Sequence, residues 1–144
     1  MTRARGLALA GMVLALLLLP LWAGAARAQA EQHSAKAAVE PVVRQLEAFR
    51  RDDYDTAYTF ASEEIQRQFD RLRFEIMVRS GYPEIARSTV ADVIGMELQP
   101  EGSAYVRVRI LGANGHTIDA LYELVWQEGW KINGVATRPA GGVI

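Results

Sequence analysis

The chain has 144 residues, of which 50% are hydrophobic and 23% are charged, and its formal net charge is -1. That length and composition fit one folded domain with a short additional segment, and they exclude a disordered tail. Cysteine is absent, which excludes disulfides, cysteine-ligated metal centres and a thiol nucleophile, and the charge balance excludes a strongly basic nucleic-acid binder.

Residues 1–30 have the features of a secretory signal peptide. Two early arginines precede an apolar core at residues 7–19, Pro20 ends that core, and the sequence A-Q-A ending at Ala30 has the small-x-small pattern of a cleavage site. An uncleaved anchor is the alternative, because residues 7–26 carry no charge and are long enough to span a bilayer. The proline and the cleavage pattern favour removal after Ala30. We therefore expect an exported protein, periplasmic or secreted, without stable membrane insertion.

The rest of the chain divides into three parts. We expect a flexible lead-in at residues 31–38, a single domain at residues 39–138 and a C-terminal tail at residues 139–144. The first half of the domain has helical patterns and the second half has strand patterns. This order predicts the α+β class, with the helices packed on one face of an antiparallel sheet.

Four helices are predicted in the first half of the domain. The first starts at Glu40-Pro41, since proline is tolerated in the first turn, and it carries one apolar stripe formed by Val42, Leu46 and Phe49. Three shorter helices follow, at about residues 54–61, 62–69 and 72–80, with Asp53 and Ser62 at the first two N-termini and Gly81 and Pro83 after the last.

Four strands are predicted in the second half, because three loops share one plan. Each is a three-residue connection with glycine third, which is typical of a hairpin with a G1 bulge. The loops are Pro100-Glu101-Gly102, Ala113-Asn114-Gly115 and Gln127-Glu128-Gly129. The strands between them form a meander at about residues 88–98, 104–112, 116–126 and 130–137.

The same loops predict the strand register. They pair Val108 with both Ala120 and Ile94, and they set Tyr122 opposite Gly134. In this register the even-numbered side chains are mostly apolar and face the helices. The odd-numbered face carries charged residues and is solvated or forms a polar interface.

Five ordered sequence blocks resemble a known family. They are V-x-x-Q-L-x-A-F-x-x-D-D at residues 42–53, F-A-S-x-x-I-Q-x-x-F at 60–69, F-x-x-M-V-x-x-G-Y-P at 74–83, A-L-Y-E-L at 120–124 and W-K-I-N-G-V at 130–135. The chain resembles the bacterial family named domain of unknown function 4864, within the nuclear-transport-factor-2-like superfamily. The resemblance implies a cone-shaped α+β fold, and it implies no particular activity.

The acidic cluster and the two histidines do not predict a metal site. Asp52, Asp53 and Asp55 lack the glycine that a calcium loop requires at its sixth position, so we interpret them as helix stop and cap residues. His33 lies in the lead-in and His116 at a hairpin end, with nothing that brings them together. We expect no metal, no cofactor and no catalytic residue among them.

Two carboxylates in the strands lead to opposite expectations. Asp119 lies on the odd face opposite Arg109, which predicts an exposed cross-strand ion pair rather than a catalytic acid. Asp92 is the one carboxylate on the even face, so it is the acid that an enzyme would present to the interior of the cone.

The candidate ligand-binding residues are Tyr58, Met77, Tyr82, Tyr122 and Trp130, which we expect to line a pocket inside the cone. The alternative is that these side chains fill the core. Our leading hypothesis is a non-catalytic binding or interaction module, monomeric or homodimeric, with a small apolar ligand or a protein partner and no nucleic acid. The alternatives are a small isomerase-like or hydratase-like enzyme that transfers protons inside the cone, and a partner-docking domain with a filled cone.

Overall fold

The computed structural model describes residues 19–141, and its contacts divide the chain after Glu31. The charged and apolar parts of the predicted signal peptide fall mainly outside the described residues. The helix α1 spans Leu19–Gln32, so the predicted cleavage position at Ala30 lies within it. Among the described residues, no helix is both long and apolar enough to cross a membrane.

The unit that begins at Gln32 contains helices followed by strands, as the sequence predicts. Its helices are α2 Ala35–Arg50, α3 Tyr54–Thr59, α4 Glu63–Gln68, α5 Arg71–Gly81 and α6 Pro83–Ala86. Its strands are β1 Ser88–Leu98, β2 Ala104–Gly112, β3 Thr117–Trp126 and β4 Trp130–Pro139. They form one four-stranded sheet in the order β1-β2-β3-β4, with every pair antiparallel, which confirms the α+β class and the meander.

Two helix starts differ from the expectation. The helix α2 begins at Ala35 rather than at Glu40, because the Ser34 hydroxyl accepts a hydrogen bond from the Ala37 amide and caps it there. Residues 35–38 are therefore helical and do not belong to a lead-in. The extra helix α6 begins at Pro83, which takes the first helical position instead of only ending the preceding helix.

The hairpin ends have the predicted register. Leu98 pairs with Ala104 and Leu124 pairs with Ile132, next to the loops that set these pairings. Along the whole β2–β3 ladder the prediction holds, including Val108 opposite Ala120.

Three register shifts interrupt the ladders farther from the loops, and two of them change predicted pairs. A shift between Val93 and Gly95 places Val93, not Ile94, opposite Val108. A shift in the β3–β4 ladder places Val135, not Gly134, opposite Tyr122. Each of these two bulges adds one residue to one strand, so the residues just beyond it move to the other face. In β1 the further shift between Ser88 and Val90 changes the facing once more.

The core lies between α2 and the inner face of the sheet. α2 buries Val42, Leu46 and Phe49, the stripe predicted from the sequence, together with Gln45. From the sheet, the fully buried side chains include Val106, Val108, Ile110, Tyr122 and Leu124. This core forms one side of an apolar cavity between the helices and the sheet.

Candidate functional site

The site is a cavity of about 250 Å³ between the helices and the inner face of β3 and β4, which we call the central cavity. Its wall is almost wholly aliphatic and aromatic. The lining residues are Gln45, Phe49, Ala61, Ile65, Phe69, Phe74, Met77, Val78, Tyr82, Ile85, Tyr122, Ile132, Gly134 and Val135. No Asp, Glu, His, Lys or Arg is present among these described lining residues, so the cavity wall has no group that titrates near neutral pH.

Tyr122 is the polar side chain that distinguishes this cavity from ordinary core. The residue is 1% exposed, and its hydroxyl is buried without a hydrogen-bond partner. Burial raises the pKa of the Tyr122 hydroxyl, so the group stays protonated at neutral pH. A buried hydroxyl without a partner costs roughly 1–3 kcal/mol, which a bound acceptor would recover.

The strand β3 holds Tyr122 in place. Its neighbours across the sheet are Val106 on β2 and Val135 on β4, and both flank it on the inner face. The bulge in β4 brings Val135 to that face, where it also lines the central cavity. Side chains alternate between the two faces along β3, and the bulge shifts β4 by one residue. As a result, Tyr122 and Val135 both face the helices.

Gln45 is the second buried polar residue of the wall. It lies on α2, is 4% exposed, and donates from Nε2 to the carbonyl oxygen of Ala57 at 3.1 Å. This hydrogen bond ties α2 to α3 and holds the carboxamide against the central cavity. Gln45 was missed in the sequence analysis, although a polar residue between Val42 and Leu46 on an apolar helical stripe is a signal that can be read.

The structure brings together three of the five predicted pocket residues. Met77 on α5 and Tyr82, the residue after α5, line the central cavity together with Tyr122. Tyr58 lies outside the wall: its hydroxyl donates to the carbonyl oxygen of Phe69 at 2.6 Å. Trp130 also lies outside, at the end of the β3–β4 hairpin.

Trp130 has a structural role at that hairpin. Its ring packs edge-on against Trp126 with the centroids 5.5 Å apart, and its Nε1 donates to the carbonyl oxygen of Gln32 at 2.9 Å. Trp126 in turn packs against the ring of His33 at 3.7 Å. The contact of the two tryptophans with residues 32 and 33 was not visible from the sequence.

Asp119 forms the predicted ion pair, but it is not exposed. Arg109 Nε and Nη2 donate to its two carboxylate oxygens at 2.8 and 3.1 Å. Its side chain is only 8% exposed, because Arg109 and Arg138 cover it on the outer face of the sheet. The hydrogen bonds from Arg109 hold the pKa of the Asp119 carboxyl below its usual range.

Asp92 was expected to face the helices, and this expectation is wrong. It is exposed and pairs with Arg109, whose side chain is on the outer face. The bulge after Val93 reverses the facing of the residues that precede it. The central cavity therefore lacks the one carboxylate that the sequence analysis assigned to the interior.

The acidic cluster near residue 53 caps and pairs as expected. The Asp53 carboxylate accepts from the Thr56 amide at 3.1 Å, and hydrogen bonding with Thr56 lowers the pKa of that carboxyl. Asp52 accepts from Arg79 and Arg87. Across residues 19–141, no group of three or more His, Cys, Asp or Glu side chains is placed to hold a metal ion.

The fold and the central cavity define a small α+β protein with an apolar pocket whose described lining contains no Asp, Glu, His, Lys or Arg. Residues 31–143 match the family model described as Domain of unknown function (DUF4864), and the chain belongs to this family. Neither the curated proteins nor the solved structures contain a match.

Proposed function

We propose that this protein is an exported, non-catalytic binding module that holds one small, neutral, mostly apolar molecule in the central cavity. The observation that carries the proposal is the unpartnered hydroxyl of Tyr122, a residue of a wall that is almost wholly aliphatic and aromatic. The finer superfamily assignment, a nuclear-transport-factor-2-like cone, is part of the same proposal. Helices on one face of a bulged antiparallel sheet support it, because bulges bend and twist strands.

The chemistry of the wall selects the class of ligand. Aromatic and aliphatic side chains favour an apolar body, and the Tyr122 hydroxyl favours one acceptor such as a carbonyl oxygen. A charged ligand is disfavoured, because the wall offers no opposite charge and a buried unpaired ion is strongly destabilised.

The volume sets the size of the ligand. A cavity of roughly 150 Å³ holds one benzene ring, so the central cavity at about 250 Å³ accommodates about ten non-hydrogen atoms. Single-ring or fused two-ring ketones are molecules of this kind.

The wall also argues against the proton-transfer enzyme. General acid–base catalysis needs a group whose pKa lies near the working pH. The lining residues with a polar side chain are Gln45, Tyr82 and Tyr122, and burial moves the pKa of Tyr122 away from neutrality. This composition supports a binding role.

A matched pair of ligands tests the proposal. Indanone and indane have nearly the same shape and differ in one carbonyl oxygen. Their dissociation constants would be measured by calorimetry for the wild type and for Tyr122→Phe, and amide chemical shifts would locate the bound molecule. We expect the preference for indanone over indane to fall about fivefold in Tyr122→Phe, which corresponds to one ordinary hydrogen bond.

Tyr54→Phe is the matched control. Tyr54 is also 1% exposed with an unpartnered hydroxyl, yet it does not line the central cavity. The preference for indanone should therefore be unchanged in this variant. If neither molecule binds, the binding function is wrong. If both bind and Tyr122→Phe keeps the wild-type preference, the hydroxyl contact is wrong.

A further inference from the structure

We propose that two copies of this chain form a dimer around a two-fold axis through the groove between α2 and β1. This α2–β1 groove is lined by Lys36, Val39, Glu40, Val43, Arg44, Glu47, Val93 and Met96. It lies apart from the central cavity, with which it shares no lining residue. The proposal does not depend on the ligand-binding function.

Charges of alternating sign follow the exposed side of α2. Lys36, Glu40, Arg44 and Glu47 are all exposed and recur at helical spacing along one face. Within one copy, Arg44 and Glu40 contact each other at 3.3 Å. Lys36 and Glu47 are about 16 Å apart along the helix axis, too far to pair within one chain.

The charge pattern of α2 in one copy is complementary to that of α2 in a second copy, provided that the two helices pack antiparallel. A two-fold axis near the middle of the stripe places Lys36 of one copy opposite Glu47 of the other, and Glu40 opposite Arg44. Each contact then occurs twice, which is the defining property of an isologous interface. In a parallel arrangement in register, each charged side chain would instead face the same side chain of the other copy, and the like charges would repel each other.

Apolar side chains lie between these charges. Val43 is 37% exposed and Met96 is 47% exposed, although both are large hydrophobic residues. Val43 lies next to the centre of the charge stripe, so the axis brings it close to its copy. Burial of these side chains, with the charged residues at the rim, matches the usual anatomy of an interface.

The edge of β1 does not offer a competing mode of association. β1 is the first strand of the sheet, and its ladder is interrupted by shifts at Ser88/Val90 and at Val93/Gly95. Bulges in an edge strand hinder strand-to-strand addition. β1 exposes Val90, Ile94, Met96 and Leu98. Of these, Met96 lines the α2–β1 groove, where a helix covers it better than another strand would.

Charge reversal at the two distant positions tests both the dimer and its direction. The full chain would be expressed, and the purified protein studied by analytical ultracentrifugation from about 10 µM to about 1 mM, since small interfaces bind in this range. The wild type should be dimeric at the upper end. Lys36→Glu alone places two acids together and Glu47→Lys alone places two bases together, so each should be monomeric.

An equimolar mixture of the two variants provides the decisive measurement. In the mixed dimer both contacts again join opposite charges, so dimers should return, composed of one copy of each variant. Glu63→Lys is the control, because it reverses an exposed charge on α4, which contacts β4 at the opposite edge of the sheet. This control should dimerise as the wild type does.

Three results would overturn the proposal. They are a wild type that stays monomeric throughout the range, single variants that dimerise as well as the wild type, and a mixture that stays monomeric while the wild type dimerises. The first would leave the α2–β1 groove to a different partner, and the third would exclude the antiparallel register. Circular dichroism verifies that the exposed substitutions leave the fold intact.

Discussion

Tyr122 on β3 lies directly opposite Val135 on β4, although an unbroken hairpin ladder would place Gly134 there. One extra residue in β4 makes this difference. The valine side chain thereby joins the wall of the central cavity beside the tyrosine ring. The shape of the candidate site depends on that bulge as much as on the tyrosine itself.

Removal of either unpartnered hydroxyl should stabilise the ligand-free protein. We expect Tyr122→Phe and Tyr54→Phe each to raise the free energy of unfolding by about 1 kcal/mol, because each removes a buried donor without an acceptor. Urea denaturation monitored by circular dichroism measures the change. A clear loss of stability in Tyr122→Phe would mean that its hydroxyl has a partner in solution.

The ion pair between Arg109 and the buried carboxylate of Asp119 on the outer face should make stability depend on pH. Hydrogen bonds from Arg109 lower the pKa of Asp119 in the folded state, so its contribution is present above the pKa of an unfolded aspartate. That contribution should be lost as the pH falls through the lower folded pKa. Unfolding by urea between about pH 2 and about pH 7 should show this loss in the wild type.

The Asp119→Asn variant isolates this effect. It leaves Arg109 without its carboxylate partner and should lower the free energy of unfolding at neutral pH by at most about 1 kcal/mol, because the half-exposed guanidinium can be hydrated instead. Below the folded pKa of Asp119, the difference between variant and wild type should shrink. A constant difference at every pH would contradict the assigned cause.

Two glycines should differ sharply in their tolerance of a methyl group. A Cβ at Gly112 would lie 2.9 Å from Glu84 Cγ and 3.0 Å from Glu84 Cα, so the α6 backbone has to move. We expect Gly112→Ala to lower the melting temperature and to cost about 1–3 kcal/mol. At Gly134 nothing lies within 4 Å of that Cβ, so Gly134→Ala should be close to neutral.

Export should remove the leader. If residues 1–30 are a signal peptide, the protein recovered from the periplasm or the medium of an expressing bacterium begins at Glu31. Intact-mass spectrometry of that material measures the new N-terminus. Protein found only at full length in the membrane fraction would favour the anchor instead.

The strand pairing near each loop was predictable because it depends on local chemistry. Glycine has a positive φ in all three loops, 95° at Gly102, 82° at Gly115 and 145° at Gly129. In the third loop Glu128, with φ 57°, takes the left-handed helical conformation instead of the glycine. Such a loop sets the first pairs of its hairpin directly. Asp119 opposite Arg109 follows from this register alone, and the structure confirms the pair.

The bulge in β1 was not predictable from alternation, because the two residues at the shift are both apolar. Val93 and Ile94 are both β-branched and hydrophobic, so either could face the core. In the folded protein Val93 packs against the core, and the neighbouring Asp92 therefore lies on the outer face. The enzyme hypothesis depended on Asp92 as its acid inside the cone. The structure places this carboxylate outside the central cavity.

By its own residues, the sequence determined the class of fold, the order of helices and strands, the hairpin registers near the loops and the family. These properties depend on neighbours in the chain, where turn chemistry and periodicity act. The tertiary structure alone decided that Met77, Tyr82 and Tyr122 share a cavity while Tyr58 and Trp130 do not. It also decided that the Tyr122 hydroxyl has no partner, because burial and hydrogen bonding depend on residues far away in sequence.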